Sequence, residues 1–154
     1  MKEKLYLFNP FRIKELTNEK LQQIYQQTYE KILDNPNTMF EYASNIEVYS
    51  NLIYICGECI ARYTKNIIEL KTKIQIDTSI NQTEERNKWD AETYGKVPAM
   101  SYFEALATRM SKDDIKLLAQ QECSLKRFKN AYDSLESKTN ALKKKMEAIK
   151  FEEF

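Results

Sequence analysis

Residues 39–74 read MFEYASNIEVYSNLIYICGECIARYTKNIIELKTKI. An isoleucine recurs there at every seventh position, and we call this series the isoleucine ladder: Ile46, Ile53, Ile60, Ile67 and Ile74. Each member up to residue 67 is followed three residues later by another apolar or aromatic residue. Such a 3-4 alternation predicts a long helix whose apolar seam packs against a partner helix, within the chain or between chains.

The first half of this helix carries a second apolar stripe, formed by Val48, Leu52, Ile55 and Cys59. A helix that is apolar on two sides is buried on two sides. We therefore expect residues 46–60 to lie between neighbouring helices.

The remaining sequence predicts further helices. Thr17 is a candidate N-cap of a short first helix, and the turn around Pro36 ends that helix. Long helices are predicted at about 38–76 and 112–150, with a polar connector at 77–100 through part of which the helix could persist. The spacing of Ser101 and Glu104 suggests a capping box that opens a short helix. The last helix repeats the seam at Leu125, Phe128, Leu135 and Leu142. The predicted fold class is all-α, a long-helix hairpin or coiled-coil-like bundle.

Residues 1–16 differ from the rest of the chain, which we read as a single helical domain at 17–154. The segment Leu5–Phe11 reads LYLFNPF and predicts an extended arm that ends in a turn. Such an arm is either an exposed adhesive surface or a segment that folds back on its own helices.

Composition excludes most enzyme designs. The chain has no histidine, so imidazole-based zinc sites, Ser-His-Asp triads and Cys-His pairs are impossible. The two glycines, Gly57 and Gly95, are too far apart for a phosphate-binding loop. We therefore expect no enzyme, no catalytic residue, no cofactor and no metal. No long apolar run or signal-peptide pattern is present, which predicts a cytoplasmic protein without a membrane segment.

Cys56 and Cys59 form a C-x-x-C motif in the middle of the predicted helix. Redox enzymes place this motif at a helix N-terminus after a strand, and a zinc site needs four ligands. We interpret the two cysteines as small buried apolar residues. A redox or metal role remains the alternative.

The polar connector holds the only tryptophan, Trp89, beside Arg86 and Lys88. An aromatic ring flanked by cations is typical of single-stranded nucleic-acid binding, where bases stack and phosphates meet the cations. Alternatively, Trp89 packs the connector onto the helices. Lys143 and Lys144 on the last helix are further candidates, although solvated charge near a helix C-terminus also explains them.

The layout resembles that of the recombination-mediator family of T4-type phages, the UvsY family. The similarity rests on collinear stretches: Glu41–Asn45, Val48–Ser50, Arg86–Trp89, Ser111–Lys116, Ser124–Leu125, Lys138 and Ala141. The resemblance implies a non-enzymatic homo-oligomer that binds single-stranded DNA. It also implies loading of a RecA-type recombinase onto DNA covered by single-strand-binding protein, in a bacterial host cell.

Under this resemblance, Arg86 and Lys88 would contact phosphates, and Trp89 would stack with bases. The acidic residues around Arg86 and the arm at 1–16 depart from the family pattern. The alternative function is a helical protein-interaction or inhibitor module, such as a small phage protein that blocks a host factor without binding DNA. An enzyme is a third alternative, which bound metal in the purified protein would reveal.

Overall fold

The computed structural model describes residues 10–152, with side chains from Arg12 onward. These residues form six helices: α1 (Pro10–Ile13), α2 (Asn18–Tyr29), α3 (Met39–Asn87), α4 (Ala91–Tyr94), α5 (Met100–Met110) and α6 (Lys112–Glu152). No strand occurs between residues 10 and 152, so the predicted all-α class is confirmed. The Leu5–Asn9 part of the predicted arm lies outside the described residues.

The described end of the predicted arm is a helical turn and not an extended segment. Pro10–Ile13 is a helical turn, which suits a proline because the first helical position needs no N–H donor. Ile13 is only 2% exposed and belongs to a core cluster with Leu21 and Ile24 of α2. Burial of this side chain holds the segment against the helices, and Leu16 packs against the same cluster.

The described chain divides into two compact units, and both long helices contribute to both. The first unit contains α1, α2, α3 up to Arg62 and α6 from Leu125 onward, and the second unit is Tyr63–Ser124. No described helix is long and apolar enough to cross a membrane.

In the first unit, α3 is buried on two sides, as its two apolar stripes predict. Ile55 and Cys59 join the α2 side chains in one core cluster. Val48, Leu52 and Cys56 form the other cluster with Leu135 of α6. Tyr25 and Phe128 are half-buried and pack against both clusters, so the two cores are continuous.

The second stripe is more deeply buried than the isoleucine ladder in this unit. Leu52 and Ile55 have no exposed surface, whereas Ile46, Ile53 and Ile60 are half-buried. A helix covered on two sides buries most deeply the residues that lie between its neighbours, which explains the difference.

The α6 seam follows the prediction in outline. Leu135 and Leu142 are buried, while Leu125 and Phe128 are half-buried. Thr139, the polar residue in this seam, is buried and donates its hydroxyl to Leu135 O at 2.8 Å. Its hydrogen-bonding need is therefore met within its own helix.

The second unit is an antiparallel pairing of the C-terminal part of α3 with the start of α6. Lys71 Nζ lies 3.3 Å from Glu122 Oε1, and Lys73 pairs with Asp114. Ile67 of the ladder is buried in this unit and Ile74 is half-buried. Its other buried residues are few and come from α5 and the α5–α6 junction: Phe103, Ala107 and Ser111.

In this unit the long helix continues into the predicted connector, through part of which helix could persist, and the predicted capping box does not form. Helix α3 continues eleven residues beyond Ile76 to Asn87, because no Gly or Pro interrupts residues 77–87. The Ser101–Glu104 capping box is absent, since Ala99 is the N-cap of α5 and makes no side-chain cap hydrogen bond. Tyr102 N already donates to Ala99 O, so Ser101 lies inside the helix.

Candidate nucleic-acid interface

Four aromatic rings come together after the end of α3, and we call them the aromatic cluster: Trp89, Tyr94, Tyr102 and Phe103. The Trp89 ring centroid lies 5.5 Å from that of Tyr94 and 6.1 Å from those of Tyr102 and Phe103. Tyr102 and Phe103 meet edge to face at 5.3 Å. These spacings are those of attractive aromatic pairs.

Trp89 is held in place by its own connector. Its indole Nε1 donates to Gly95 O at 3.1 Å, and its backbone N donates to Arg86 O. Gly95 has a φ of 85°, a conformation that glycine adopts without a steric penalty. The half-buried tryptophan thus packs against other residues of its own connector. This favours the alternative in which Trp89 has a packing role.

The exposed ring surface of the cluster belongs mainly to two tyrosines. Tyr94 is 68% exposed and Tyr102 is 49% exposed. Sequence reasoning missed both, although four aromatic residues within residues 89–103 were a visible signal. A base would meet these tyrosines before it met Trp89.

The charges around the cluster are mixed. Residues 84–104 contain three cations, Arg86, Lys88 and Lys96, against five acids, so their net charge is −2. Arg86 Nη1 lies 3.2 Å from the sulfur of Met100, beside the cluster. Aromatic stacking therefore has to supply more of any binding energy here than charge does.

Asp90 is one of the five acids and is engaged locally. It is the N-cap of α4 and accepts hydrogen bonds from the Thr93 hydroxyl and the Glu92 backbone N–H. These bonds lower the pKa of Asp90. Its negative charge stabilises the start of α4, and it remains ionised at neutral pH.

The two groups of predicted DNA contacts lie in different units. Arg86, Lys88 and Trp89 belong to the second unit, whereas Lys143 and Lys144 are exposed on α6 in the first unit. Adjacent residues point about 100° apart around a helix, so the two lysines do not share one face.

The C-x-x-C cysteines are buried in the first unit, as the packing interpretation predicts. Cys56 has no exposed surface and Cys59 is 9% exposed. Burial raises the pKa of the Cys56 thiol to about 11 and also raises the pKa of Cys59. Both sulfurs are therefore neutral thiols at physiological pH, which is unfavourable for nucleophilic or metal-binding chemistry.

Two residues that contribute to the family resemblance have structural roles at the start of α3. Glu41 Oε2 accepts from Asn37 N at 2.8 Å, and Thr38 Oγ1 accepts from Glu41 N at 3.2 Å. Asn45 is 2% exposed and bonds to the backbone of Leu33. In this chain, both residues stabilise the entry into the long helix.

Comparison of the chain with protein-family models, with curated proteins and with solved structures finds no match.

Proposed function

We propose that the chain is a non-enzymatic homo-oligomer that binds single-stranded DNA. The observation that carries the proposal is the aromatic cluster, with Tyr94 and Tyr102 exposed beside Arg86 and Lys88. The resemblance to the UvsY family supports the same function and extends it. By that resemblance, the protein helps load a RecA-type recombinase onto DNA covered by single-strand-binding protein.

The proposed binding mode is stacking assisted by charge. Each base that stacks on an aromatic ring contributes about 1–3 kcal/mol. Arg86 and Lys88 meet phosphates, but the acids between residues 84 and 104 offset their attraction. One protomer therefore binds weakly, and several protomers on one strand bind tightly because each further contact is intramolecular.

Weak individual sites suit a mediator. A strand held by many weak contacts can be released site by site to a protein that binds it more tightly. The proposed mechanism is competition with single-strand-binding protein followed by hand-off to the recombinase, without any covalent step.

Exposed isoleucines on α3 support the oligomer. Ile68, Ile76 and Ile80 of the second unit are 59%, 52% and 50% exposed. Ile76 and Ile80 are four residues apart and are neighbours on the helix surface. Neighbouring exposed apolar side chains mark interaction sites, because their exposure to water is unfavourable. A second copy of the chain would cover them.

The test is fluorescence anisotropy with a dye-labelled oligo(dT) at about 50 mM salt, where cation-assisted binding is strong. The wild type is expected to bind, and the double variant Tyr94→Ala/Tyr102→Ala to lose about tenfold or more in affinity, since two stacking contacts disappear. Arg86→Ala and Trp89→Ala are expected to weaken binding as well. The control is Tyr54→Ala, an exposed tyrosine of the first unit.

Absence of wild-type binding at this salt concentration would refute DNA binding. Equal affinities of the double variant and the control would remove the aromatic cluster from the interface. The loading step is tested with a RecA-type recombinase on oligonucleotide covered by single-strand-binding protein, where the wild type should shorten the lag before filament assembly and the double variant should not.

A second candidate is a protein-interaction or inhibitor module that does not bind DNA. The exposed isoleucines favour it equally, and Phe40 of the first unit is 81% exposed. Mass measurement in solution, with and without the oligonucleotide, separates the candidates. A monomer whose mass is unchanged by DNA supports the module, whereas an oligomer that takes up DNA supports the first proposal.

A further inference from the structure

The second half of α6 has a net positive charge, whereas the rest of the molecule has a net negative one. Residues 125–152 contain eight Lys or Arg against four Asp or Glu, a net charge of +4. The whole chain has a net charge of +1, which leaves −3 for the other residues. All eight cationic side chains are exposed.

Three of these cations have no acidic residue three or four positions away in the helix, and we call them the basic flank: Arg127, Lys138 and Lys145. At positions three and four residues before and after each of them stand only small, polar or apolar residues. Ion pairs within a helix form at these spacings. Among the described residues, no ion pair or hydrogen bond engages the three side chains.

Each of the other five cations has an acidic residue three or four positions away in the helix. Lys129 has Asp133 four residues later, Lys143 and Lys150 have Glu147 within one turn, and Lys126 and Lys144 likewise have an acid at helical spacing. The basic flank is therefore distinguished by its neighbours as well as by its charge.

The three residues of the basic flank lie on one line along α6. Eighteen residues separate Arg127 from Lys145, which is five full helical turns, and Lys138 lies about 20° from that line. At about 1.5 Å per residue, the three Cα positions span about 27 Å along the helix axis. Asp133, Glu136 and Glu147 lie more than about 100° away around the helix, by the same rotation of about 100° per residue.

The surface along this line is smooth. Small residues, Ser134 and Ala141, lie between the cations, and Leu142, the large apolar residue nearest to this line, is buried. Glu152 is the one acidic residue of residues 125–152 near this line, and it lies two turns beyond Lys145. A continuous anionic backbone could run along the flank without meeting a bulky residue, whereas an acidic peptide would find no apolar pocket for its side chains.

We propose that the basic flank holds the phosphate backbone of the single-stranded nucleic acid, an inference that rests on the proposed function. The aromatic cluster lies in a segment of net charge −2 and contributes base stacking. The flank supplies attraction to phosphate within the first unit. Neutralising three phosphates on a single strand releases counterions, and each contact adds about −0.7 to the slope of log affinity against log salt.

The experiment compares two triple variants of matched charge in the full chain. The first is Arg127→Gln/Lys138→Gln/Lys145→Gln, and the control is Lys126→Gln/Lys129→Gln/Lys150→Gln, three cations that each have an acidic residue at helical spacing. All six residues are exposed, so both variants should keep the helical circular dichroism spectrum and melting temperature of the wild type. Affinity for dye-labelled oligo(dT) is measured by anisotropy from low to high salt.

The flank triple is expected to lose about 30-fold in affinity at low salt and to reduce the salt slope by about 2, while the control triple loses less than about threefold. Equal losses in the two triples would show that only net charge matters and would overturn the flank. If the flank triple binds oligo(dT) with the affinity of the wild type, the assignment of the flank is also overturned, while the proposed function still holds.

The remaining outcomes concern the ligand class. Absence of wild-type binding to oligo(dT) refutes the proposed function itself, and the assignment of the flank falls with it. A polyglutamate of the same charge is titrated in parallel. If the wild type binds polyglutamate but not oligo(dT), and the flank triple does not bind polyglutamate, the ligand of the flank is an acidic protein segment.

Discussion

The side-chain amide of Asn45 forms two hydrogen bonds to the backbone of one residue, Leu33. Asn45 Oδ1 accepts from Leu33 N at 2.8 Å, and Asn45 Nδ2 donates to Leu33 O at 3.0 Å. Asn45 is nearly fully buried, and it fixes the segment between α2 and α3 against α3 itself. The turn that follows includes Asn35 with a φ of 52°, an uncommon conformation for a residue with a side chain.

Asn45→Ala is expected to destabilise the chain by about 2 kcal/mol, because it leaves both backbone groups of Leu33 without their partner. Asn45→Asp keeps the acceptor for Leu33 N but loses the donor to Leu33 O, so we expect this variant to be less stable than the wild type as well. Urea unfolding followed by circular dichroism measures the difference. Asn130→Ala, at an exposed position of α6, is the control and should change stability by less than about 0.5 kcal/mol. A loss no larger than the control's would contradict the importance of this contact.

Arg62→Lys is expected to destabilise the chain by about 1–3 kcal/mol. Arg62 Nε lies 2.9 Å from Glu58 Oε1, Nη1 donates to Asn18 Oδ1 at 2.9 Å, and Nη2 donates to Ile13 O at 3.1 Å. A lysine ammonium has one nitrogen and cannot reach these three separated acceptors together. Thermal unfolding is the measurement, and Lys65→Arg at an exposed position is the control. Equal melting temperatures for Arg62→Lys and the wild type would contradict the bridging role.

Thiol labelling should distinguish the three cysteines. Cys123 is exposed, whereas Cys56 and Cys59 are buried free thiols with raised pKa values. Because the thiolate is the reactive form, we expect one fast-reacting thiol in the native protein and three after denaturation. Ellman's reagent gives the count, and Cys123→Ser should abolish the fast phase. Rapid labelling of two or three thiols in native protein would contradict the buried positions.

Alkaline pH should destabilise the fold. Burial raises the pKa of Cys56 to about 11 and that of Tyr25 to about 12, above their ordinary values of 9.0 and 10.0. The unfolded chain then loses these protons first, so stability is complete below the unfolded pKa and is lost as pH rises toward the folded pKa.

For Cys56 alone, we expect a loss of about 2 kcal/mol between about pH 8.5 and pH 10.5. Urea unfolding under reducing conditions at several pH values measures it. Cys56→Ala should be less stable near neutral pH but should show a shallower alkaline decline. Parallel declines in the two proteins would exclude Cys56 as a source of the pH dependence.

The two glycines should respond in opposite directions to alanine. Gly57 is inside α3, and a Cβ there would meet no atom of the described chain within 4 Å. Gly57→Ala is therefore expected to stabilise the monomeric fold by about 0.5–1 kcal/mol through helix propensity. Gly95→Ala should cost about 1 kcal/mol or more, because φ at this residue is 85°. Chemical unfolding and Trp89 fluorescence report the two effects, and a destabilised Gly57→Ala would point to a partner at that site.

Local sequence rules predicted the helices well where one signal dominates. Thr17 is the N-cap of α2 and accepts from Lys20 N, as its position before the apolar pattern implied. The end of α3 was misplaced because apolar periodicity stops at residue 76, while the absence of Gly and Pro lets the backbone hydrogen bonds continue to Asn87. Periodicity reports burial, and a helix can persist where it is not buried.

The candidate site was only partly predictable for the same reason. The sequence identifies Trp89 as unusual, but the exposed rings of the cluster are Tyr94 and Tyr102. Arg62 bridges α1, α2 and α3 through Asn18 and Ile13. Such partners lie 44 or more residues away in the chain, so no local pattern contains them.

The sequence alone determined the all-α fold class of this protein. Its apolar spacing, its scarcity of Gly and Pro and its lack of histidine require long packed helices and exclude imidazole chemistry. The tertiary structure decided which stripe is deepest, which rings face solvent and which polar groups are paired. Helical periodicity arises from backbone geometry within a few residues, whereas burial and pairing depend on which distant segments meet.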